Sequence, residues 1–220
     1  MTASAEHELV VIGAGGFGRE TVEAVRALNA VGACWRLAGY LDDDPARHGT
    51  AIDGVPVLGG TGELGSMPDT SVVVCTGRPD NYHSRPRIVE ALGLPPERYA
   101  TIIHPSASVA TTSGVGPGTV LLAHAVLTAA VTVGSHVAVM PHVVLTHDDI
   151  VGDFTTIASG ACLGGNVRVG PCAYIGAGAL VREDRSIGSC ALVGMGAVVT
   201  RDIPPGEVWA GVPARRIRPT

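Results

Sequence analysis

Two adjacent side chains, His147 and Asp148, form the pair in this sequence that is best suited to proton transfer. A neutral imidazole accepts a proton near pH 7, and a carboxylate beside it can orient the ring and stabilise its charged form. The pair could therefore act as a general base towards an amine or a hydroxyl group. A solvated corner of the chain could carry the same two residues without any catalytic role.

A glycine-rich segment could bind a phosphate or a ribose. Residues 13–18 read GAGGFG, a GxGxxG pattern after a short apolar run. Backbone N–H groups in such a turn, and at the start of the helix after it, can bind these groups. Three acids follow the next predicted strand, where a carboxylate meets a ribose or a base: Asp42, Asp43 and Asp44. A tight structural turn beside solvated acids is the alternative.

Three histidines allow a different chemistry. His124 and His142 are eighteen residues apart, and His147 follows five residues later. Neutral imidazoles are good zinc ligands, so the three could form a metal centre. We interpret His104 and His136 as surface or interface histidines.

Residues 9 to about 98 alternate strand and helix patterns, which favours a small parallel sheet. The Asp53-Gly54 turn predicts a hairpin within this region. About 90 residues hold roughly half of a six-stranded dinucleotide-binding sheet, so a mononucleotide moiety fits better than NAD. The predicted strands are 9–12, 36–41, 50–52, 55–58 and 71–75, and the predicted helices are 18–30 and 81–92.

From Ile103 to Val199 every sixth residue is Ile, Leu or Val, at all seventeen positions. Within this series, glycine recurs every eighteen residues, at 116, 134, 152, 170 and 188. The pattern predicts a triangular solenoid of eighteen-residue coils whose strands stack at about 4.8 Å. We expect these glycines to adopt backbone conformations that other residues avoid.

Composition excludes several function classes. All fifteen basic residues are arginines, so neither a lysine Schiff base nor a P-loop lysine is available. The net charge is −5 without a basic stripe, which argues against a nucleic-acid partner. No apolar run reaches the roughly 18 residues of a membrane helix, and the N-terminus does not read as a signal peptide. Five scattered cysteines without a CxxC pair predict reduced thiols and a cytoplasmic protein.

The hexads, with the endings IPPGE (203–207) and AGVPARRI (210–217), resemble the hexapeptide-repeat acyltransferases. The whole chain resembles sugar acetyltransferases with an N-terminal nucleotide-binding domain, such as sialic acid O-acetyltransferases and UDP-4-amino-sugar N-acetyltransferases. The resemblance is carried by VIGAGGFGRE, LDDD and LTHDDIVGDF. It implies a Rossmann-like half domain over residues 1–100, a left-handed parallel β-helix over residues 101–220, and a homotrimer.

The same resemblance implies roles for individual residues. His147 would be the catalytic base, with Asp148 beside it. The acceptor contacts would fall on Gly15, Gly16, Phe17, Asp42, Asp43 and Asp44. The acetyl-CoA contacts, in a groove between two subunits, would fall on Thr156, Gly165, Ala177 and Met195.

Spacing adds to the cofactor assignment. Gly165 is eighteen residues from His147, so its missing side chain should leave room for a thioester, and its N–H could meet the developing oxyanion. Ala177 and Met195 are also eighteen residues apart, so they should form one column. The uninterrupted ladder should leave flat outer faces for a trimer, with Ala123, Ala125 and Ala138 pointing outwards.

We therefore expect an acetyl-CoA-dependent acetyltransferase that acts without a metal. Its acceptor would be an amino or hydroxyl group of a sugar, especially a nucleotide-linked amino sugar. Two alternatives remain at this stage. One is a trimeric metalloenzyme like the γ-class carbonic anhydrases, with His124, His142 and His147 as zinc ligands, and the other is a non-catalytic scaffold that binds nucleotide sugars.

Overall fold

The computed structural model describes residues 7–220. Its N-terminal part, up to Arg98, contains one five-stranded sheet in the order β3-β4-β2-β1-β5, parallel except for the β3–β4 hairpin. The strands are β1 His7–Ile12, β2 Trp35–Leu41, β3 Ala51–Ile52, β4 Val55–Gly59 and β5 Ser71–Val74. The helices are α1 Gly16–Ala30 and α2 Ser84–Leu92, with 3-10 turns at Pro45–Arg47, Thr61–Ser66 and Pro96–Arg98.

The helices differ from the prediction at their first residues. α1 begins two residues early, directly after the extended Gly15. α2 begins three residues late because two consecutive turns precede it, with Asn81 N–H donating to Arg78 O and Ser84 N–H donating to Asn81 O. The loop between β5 and α2 is therefore longer than the sequence pattern suggested.

The second part of the chain, the β-helix, is built from the predicted six-residue ladder. Seventeen two-residue strands, β6 (Ile102–Ile103) to β22 (Val198–Val199), recur every six residues and form three parallel sheets. Residues eighteen apart pair directly, as Val126 does with Val144. The ladder residues fill the core from Leu121 onwards. β23 (Glu207–Ala210) and β24 (Arg215–Pro219) complete an eight-stranded sheet.

The eighteen-residue glycines serve a different purpose from the predicted one. A Cβ on Gly116 would lie 2.7 Å from the carbonyl carbon of Gly134, and one on Gly152 would lie 2.6 Å from the nitrogen of Pro171. Neither glycine has a left-handed φ, so the expectation of an unusual backbone conformation was wrong. These glycines allow the next coil to approach closely.

Left-handed φ angles occur instead at every sixth residue from Gly118 to Gly196, mostly at residues other than glycine. They define three columns, one along each corner of the prism. The His142 corner contains residues 124, 142, 160, 178 and 196. The Asp148 corner contains residues 130, 148, 166 and 184, and the Phe154 corner contains residues 118, 136, 154, 172 and 190.

The N-terminal part covers one face and one corner of the prism. α1 lies between its own sheet and the eight-stranded sheet, where Val22 and Val25 share a core cluster with Ile102 and Val120. Arg85 of α2 reaches the Phe154 corner. The other two sheets have no domain packed on them among residues 7–220.

Two of the three alanines expected on outer faces are buried. Ala125 is 0% exposed and belongs to the core of the β-helix. Ala138 is 1% exposed on the eight-stranded sheet, which the N-terminal part covers. The expected outward direction was wrong for Ala125, which faces the core. Ala138 lies outside that core but under the N-terminal part, and a period of six does not show which sheet a domain covers.

Candidate active site

A pocket of about 590 Å³ opens at the carboxyl ends of β1, β2 and β5. This is the edge where parallel α/β sheets bind ligands. Met140 contributes to its wall from the β-helix. The six predicted acceptor residues all line it, namely Gly15, Gly16, Phe17, Asp42, Asp43 and Asp44.

The glycines of the first turn divide into two kinds. A Cβ on Gly13, whose φ is +98°, would lie 2.8 Å from Cys75 O, and a Cβ on Gly18 would overlap Gly13 O. These two glycines are required for packing. Among residues 7–220, apart from chain neighbours and the backbone of α1, no atom lies within 4 Å of a Cβ placed on Gly15 or Gly16. Their backbone, at the start of α1, therefore leaves open space for a ligand where the helix dipole favours a negative group.

The three acids also have different roles. Asp42 accepts hydrogen bonds from Ala14 N at 2.8 Å and Asp44 N at 3.0 Å, so it shapes the glycine turn from the next strand. Asp44 caps the following 3-10 turn by accepting from Ala46 N at 3.1 Å. Asp43 uses Oδ1 to accept from Thr61 N at 2.7 Å. Among residues 7–220 its other oxygen has no partner, which makes Asp43 the acid best placed to contact a ligand.

His147 and Asp148 interact directly. The distance from His147 Nδ1 to Asp148 Oδ2 is 2.9 Å, and the two side chains are 66% and 62% exposed. When Nδ1–H donates to the carboxylate, Nε2 carries the lone pair and can accept a proton. Asp148 has a φ of +64° and its N–H donates to Ala129 O, so the corner holds the carboxylate beside the ring.

Gly165 lies directly beneath the imidazole, but not as an empty slot. A Cβ on Gly165 would overlap Cε1 and Nε2 of His147 and approach Nδ1 to 3.0 Å. The space left by the missing side chain is therefore filled by the His147 ring. The expectation that this space receives the thioester was wrong, and Gly165 instead allows the ring to approach the next coil closely.

Asp149 is a functional candidate that sequence reasoning missed. It is 0% exposed, accepts from Thr146 N at 2.9 Å and from Val167 N at 2.8 Å, and thereby fixes the turn that carries His147. Burial raises its pKa to about 6, against the opposing effect of the two backbone hydrogen bonds. The only sequence signal was its place within the run HDD, which does not distinguish a buried acid from an exposed one.

Comparison with known proteins places this site in a family. Residues 8–92 match the PglD N-terminal domain. The acetyltransferase domain of PglB from Neisseria gonorrhoeae is 33% identical, with a TM-score of 0.84, over 96% of this chain and 100% of that one. The chain belongs to this acetyltransferase family. The predicted fold class, a Rossmann-like part followed by a left-handed β-helix, is confirmed.

Two further relatives of this chain are named for their reactions. GDP-perosamine N-acetyltransferase from Caulobacter crescentus, as a histidine-to-alanine variant with CoA and GDP-perosamine, is 29% identical with a TM-score of 0.84. It matches over 97% of this chain and 98% of that one. UDP-N-acetylbacillosamine N-acetyltransferase from Bacillus subtilis is 33% identical over 117 residues, 52% of this chain. That alignment spans only 51% of the curated relative's length.

The predicted cofactor residues lie on different parts of the prism. Gly165 lies at the Asp148 corner, under His147. Ala177 and Met195 are stacked at the His142 corner as predicted, with Gly196 N–H donating to Ala177 O at 2.9 Å. Met195 is 81% exposed. A whole sheet therefore separates His147 from this column within one chain.

Thr156 does not lie on either of these surfaces. It is 5% exposed on the covered sheet, and its hydroxyl accepts a hydrogen bond from Arg85 at 2.7 Å. Arg85 is 1% exposed and also donates to His136 O, Phe154 O and Thr76 O. We therefore omit Thr156 from the cofactor site, because its polar group holds the two parts of the chain together.

The remaining histidines do not converge with His147 within residues 7–220. His124 and His142 stack with ring centroids 5.0 Å apart, as their spacing predicts. Within residues 7–220, no group able to hold a metal combines them with His147. His136 is an interface histidine, 7% exposed and stacked on Phe154 at 5.0 Å. Family membership favours the acetyltransferase over the carbonic-anhydrase and scaffold alternatives.

No helix in the described part of the chain has the length and apolar character needed to cross a bilayer.

Proposed function

We propose that this protein transfers the acetyl group of acetyl-CoA directly to the amino group of a nucleotide-linked amino sugar, with His147 as the general base. The observation that carries this proposal is the His147–Asp148 pair lying against Gly165, with Nε2 available to accept a proton. The names of the relatives support the substrate class, since they act on UDP- and GDP-linked sugars. We place the boundary between the acceptor-binding domain and the β-helix after residue 100.

The pocket of the N-terminal part suits the nucleotide end of the acceptor. Its volume lies within the range of small-molecule sites. The start of α1 offers N–H groups to a diphosphate, and Arg47 and Arg78 also line the pocket. Asp43 has a free carboxylate oxygen for a ribose hydroxyl or a base N–H. The pocket therefore holds the part of the substrate that does not react.

The reaction needs one proton acceptor and one group that stabilises negative charge. The neutral amine attacks the thioester carbonyl, and His147 Nε2 takes the proton that the nitrogen loses as the C–N bond forms. Asp148 stabilises the resulting imidazolium. Collapse of the tetrahedral intermediate breaks the C–S bond and releases the CoA thiolate. Gly165 N–H, which has no acceptor within residues 7–220, is our candidate donor to the oxyanion.

We propose a homotrimer in the cytoplasm. In one chain His147 is exposed, and the Ala177–Met195 column lies at another corner. A neighbouring subunit that brings its His142 corner to the Asp148 corner of the first would complete a groove for acetyl-CoA. Leu180 and Met195 are 48% and 81% exposed, which suits such a contact. All five cysteines are free thiols, as in a reducing compartment.

The function is tested by following thiol release from acetyl-CoA with a panel of UDP-, GDP- and TDP-linked amino sugars. We expect release with at least one 4-amino sugar and none with its N-acetylated product. Thiol release with no member of the panel, at enzyme concentrations that bind acetyl-CoA, would contradict the proposal. Sedimentation as a monomer at micromolar concentration would contradict the trimer and the shared groove.

A further inference from the structure

The lower end of the Phe154 corner brings together three side chains that the acetyl transfer does not use. Cys172 and Cys190 occupy the same place in successive coils. His83, at the N-terminus of α2, lies beside them. One ligand atom from each residue lies within 4.8 Å of the other two. Across residues 7–220, no other group of histidines, cysteines and acids meets this condition.

The donor set is that of a zinc site. Two thiolates and one imidazole are ligands that Zn²⁺ prefers, with bonds of about 2.3 Å to sulfur and about 2.0–2.1 Å to nitrogen. Around a tetrahedral ion these atoms lie roughly 3.5–3.8 Å apart. The three side chains would therefore have to draw together by about 1.3 Å at most, which rotamer changes can supply. All three are half-buried, so the ion would be sheltered from bulk solvent without being sealed from it.

The backbone around the cluster is already fixed. Cys172 N–H donates to Asp153 O at 2.8 Å, and Cys190 N–H donates to Pro171 O at 2.9 Å. Tyr82, next to His83, donates its hydroxyl to Cys190 O at 3.0 Å. The two thiols are thus held one coil apart, and the histidine is held against them from the N-terminal part. Because the backbone around all three side chains is already held, binding of an ion would need to order little more than the side chains themselves.

We propose that His83, Cys172 and Cys190 bind one Zn²⁺ ion that fastens the N-terminal part to the β-helix. Three protein ligands leave a fourth position for water. The loop between β5 and α2 lines the acceptor pocket at Thr76 and Asn81 and ends at His83. The ion would therefore also fix one wall of that pocket. The site lies at the Phe154 corner, away from His147, so its role is structural.

The test is metal binding by reduced protein stripped with a chelator. We expect one Zn²⁺ per chain, and with Co²⁺ the near-ultraviolet absorption of cobalt–thiolate bonds. Zinc at about 100 times its dissociation constant should raise the Tm by about 5–10 °C. Cys172→Ser, Cys190→Ser and His83→Gln should each lose stoichiometric binding and this Tm rise. Cys162→Ser, a half-buried cysteine on another sheet, is the matched control and should keep both.

Two results would overturn the proposal. One is wild-type protein that shows no cobalt–thiolate absorption after reduction, and this reading does not depend on whether any variant folds. The other is zinc uptake that persists in all three cluster variants. If the first result is accompanied by a mass about 2 Da lower without reductant, seen in the wild type and absent in Cys172→Ser and Cys190→Ser, the cluster is a Cys172–Cys190 disulfide instead. None of these readings depends on acetyltransferase activity.

Discussion

The Asp148 corner and the Phe154 corner share one eighteen-residue repeat, yet their surroundings are opposite. At the first, His147 and Asp148 are more than 60% exposed. At the second, His136 is 7% exposed and Arg85 enters from the N-terminal part with 1% exposure. The repeat thus fixes where a side chain stands along the prism, and the packing of the other domain decides what it meets. A reactive histidine is expected only where the corner stays open to a ligand or a subunit.

The largest expected effect is a loss of turnover on substitution of His147 at the Asp148 corner. His147→Ala removes the proposed proton acceptor, so kcat should fall by about 10²–10⁴-fold, while acetyl-CoA affinity and the oligomeric state change little. Steady-state kinetics with saturating acetyl-CoA measures this. His104→Ala, a histidine in the first coil, is the matched control and should retain normal turnover. Near-normal kcat in His147→Ala would show that another residue, with His142 tested next, is the base.

Substitution of Arg85, which is buried at the Phe154 corner, should lower the stability of the protein. Arg85→Met leaves the carbonyls of His136, Phe154 and Thr76 without their donor in a buried junction, and each unpaired group costs about 1–3 kcal/mol. We expect unfolding free energy to fall by at least about 3 kcal/mol, measured by denaturant titration. Arg87→Met, on the exposed side of the same helix, should change it by less than about 0.5 kcal/mol. Equal effects of the two substitutions would mean that Arg85 does not hold the junction.

The pH dependence of the unfolding free energy should reveal the raised pKa of Asp149, the buried acid near the Asp148 corner. The pKa of Asp149 rises to about 6 on folding, so the native state binds the extra proton between about pH 4 and 6. Its contribution to stability is therefore complete below about pH 4 and is lost as the pH rises through 6. Relative to Asp149→Asn, the wild type should lose about 2–3 kcal/mol over this range. Parallel stability curves for the two proteins would contradict the raised pKa.

The smallest effect should come from Gly165, which lies against the His147 ring. Gly165→Ala puts a Cβ where the His147 ring lies, so the imidazole must move, and kcat should fall by about 10–50-fold. The fold should persist, because Gly165 does not have a left-handed φ. Gly114→Ala, where a Cβ meets nothing within 4 Å, is the control. An unchanged kcat would mean that the ring position shown here is not the reactive one.

Spacing alone predicted those parts of the molecule that repeat. The six-residue ladder gave all seventeen strands, and the eighteen-residue offset placed Gly165 next to His147 and Ala177 next to Met195. These are contacts between equivalent positions of adjacent coils. The sequence could also locate the glycine turn, because its geometry is local.

Contacts between the two parts of the chain could not be predicted in this way. The burial of Thr156 depends on Arg85, 71 residues away in the chain. Asp42 bonds to Ala14 because two strands lie side by side, and this turns a predicted ligand contact into a support for the turn. Asp149 and Asp148 are identical in type and adjacent, and only the direction of each side chain at the corner separates a buried acid from an exposed one.

The hydrogen bonds of Arg85 also fix the position of the N-terminal part along the axis of the β-helix. Its guanidinium bonds to His136 O and Phe154 O, which belong to successive turns of the prism, and His147 lies between them along the chain. The pocket of the N-terminal part is therefore held at a fixed height relative to His147. Whole coils could be added beyond Val199 without disturbing this alignment. If Arg85 bonded one coil higher or lower, the pocket would move by about 4.8 Å relative to His147. That distance is more than the length of three covalent bonds.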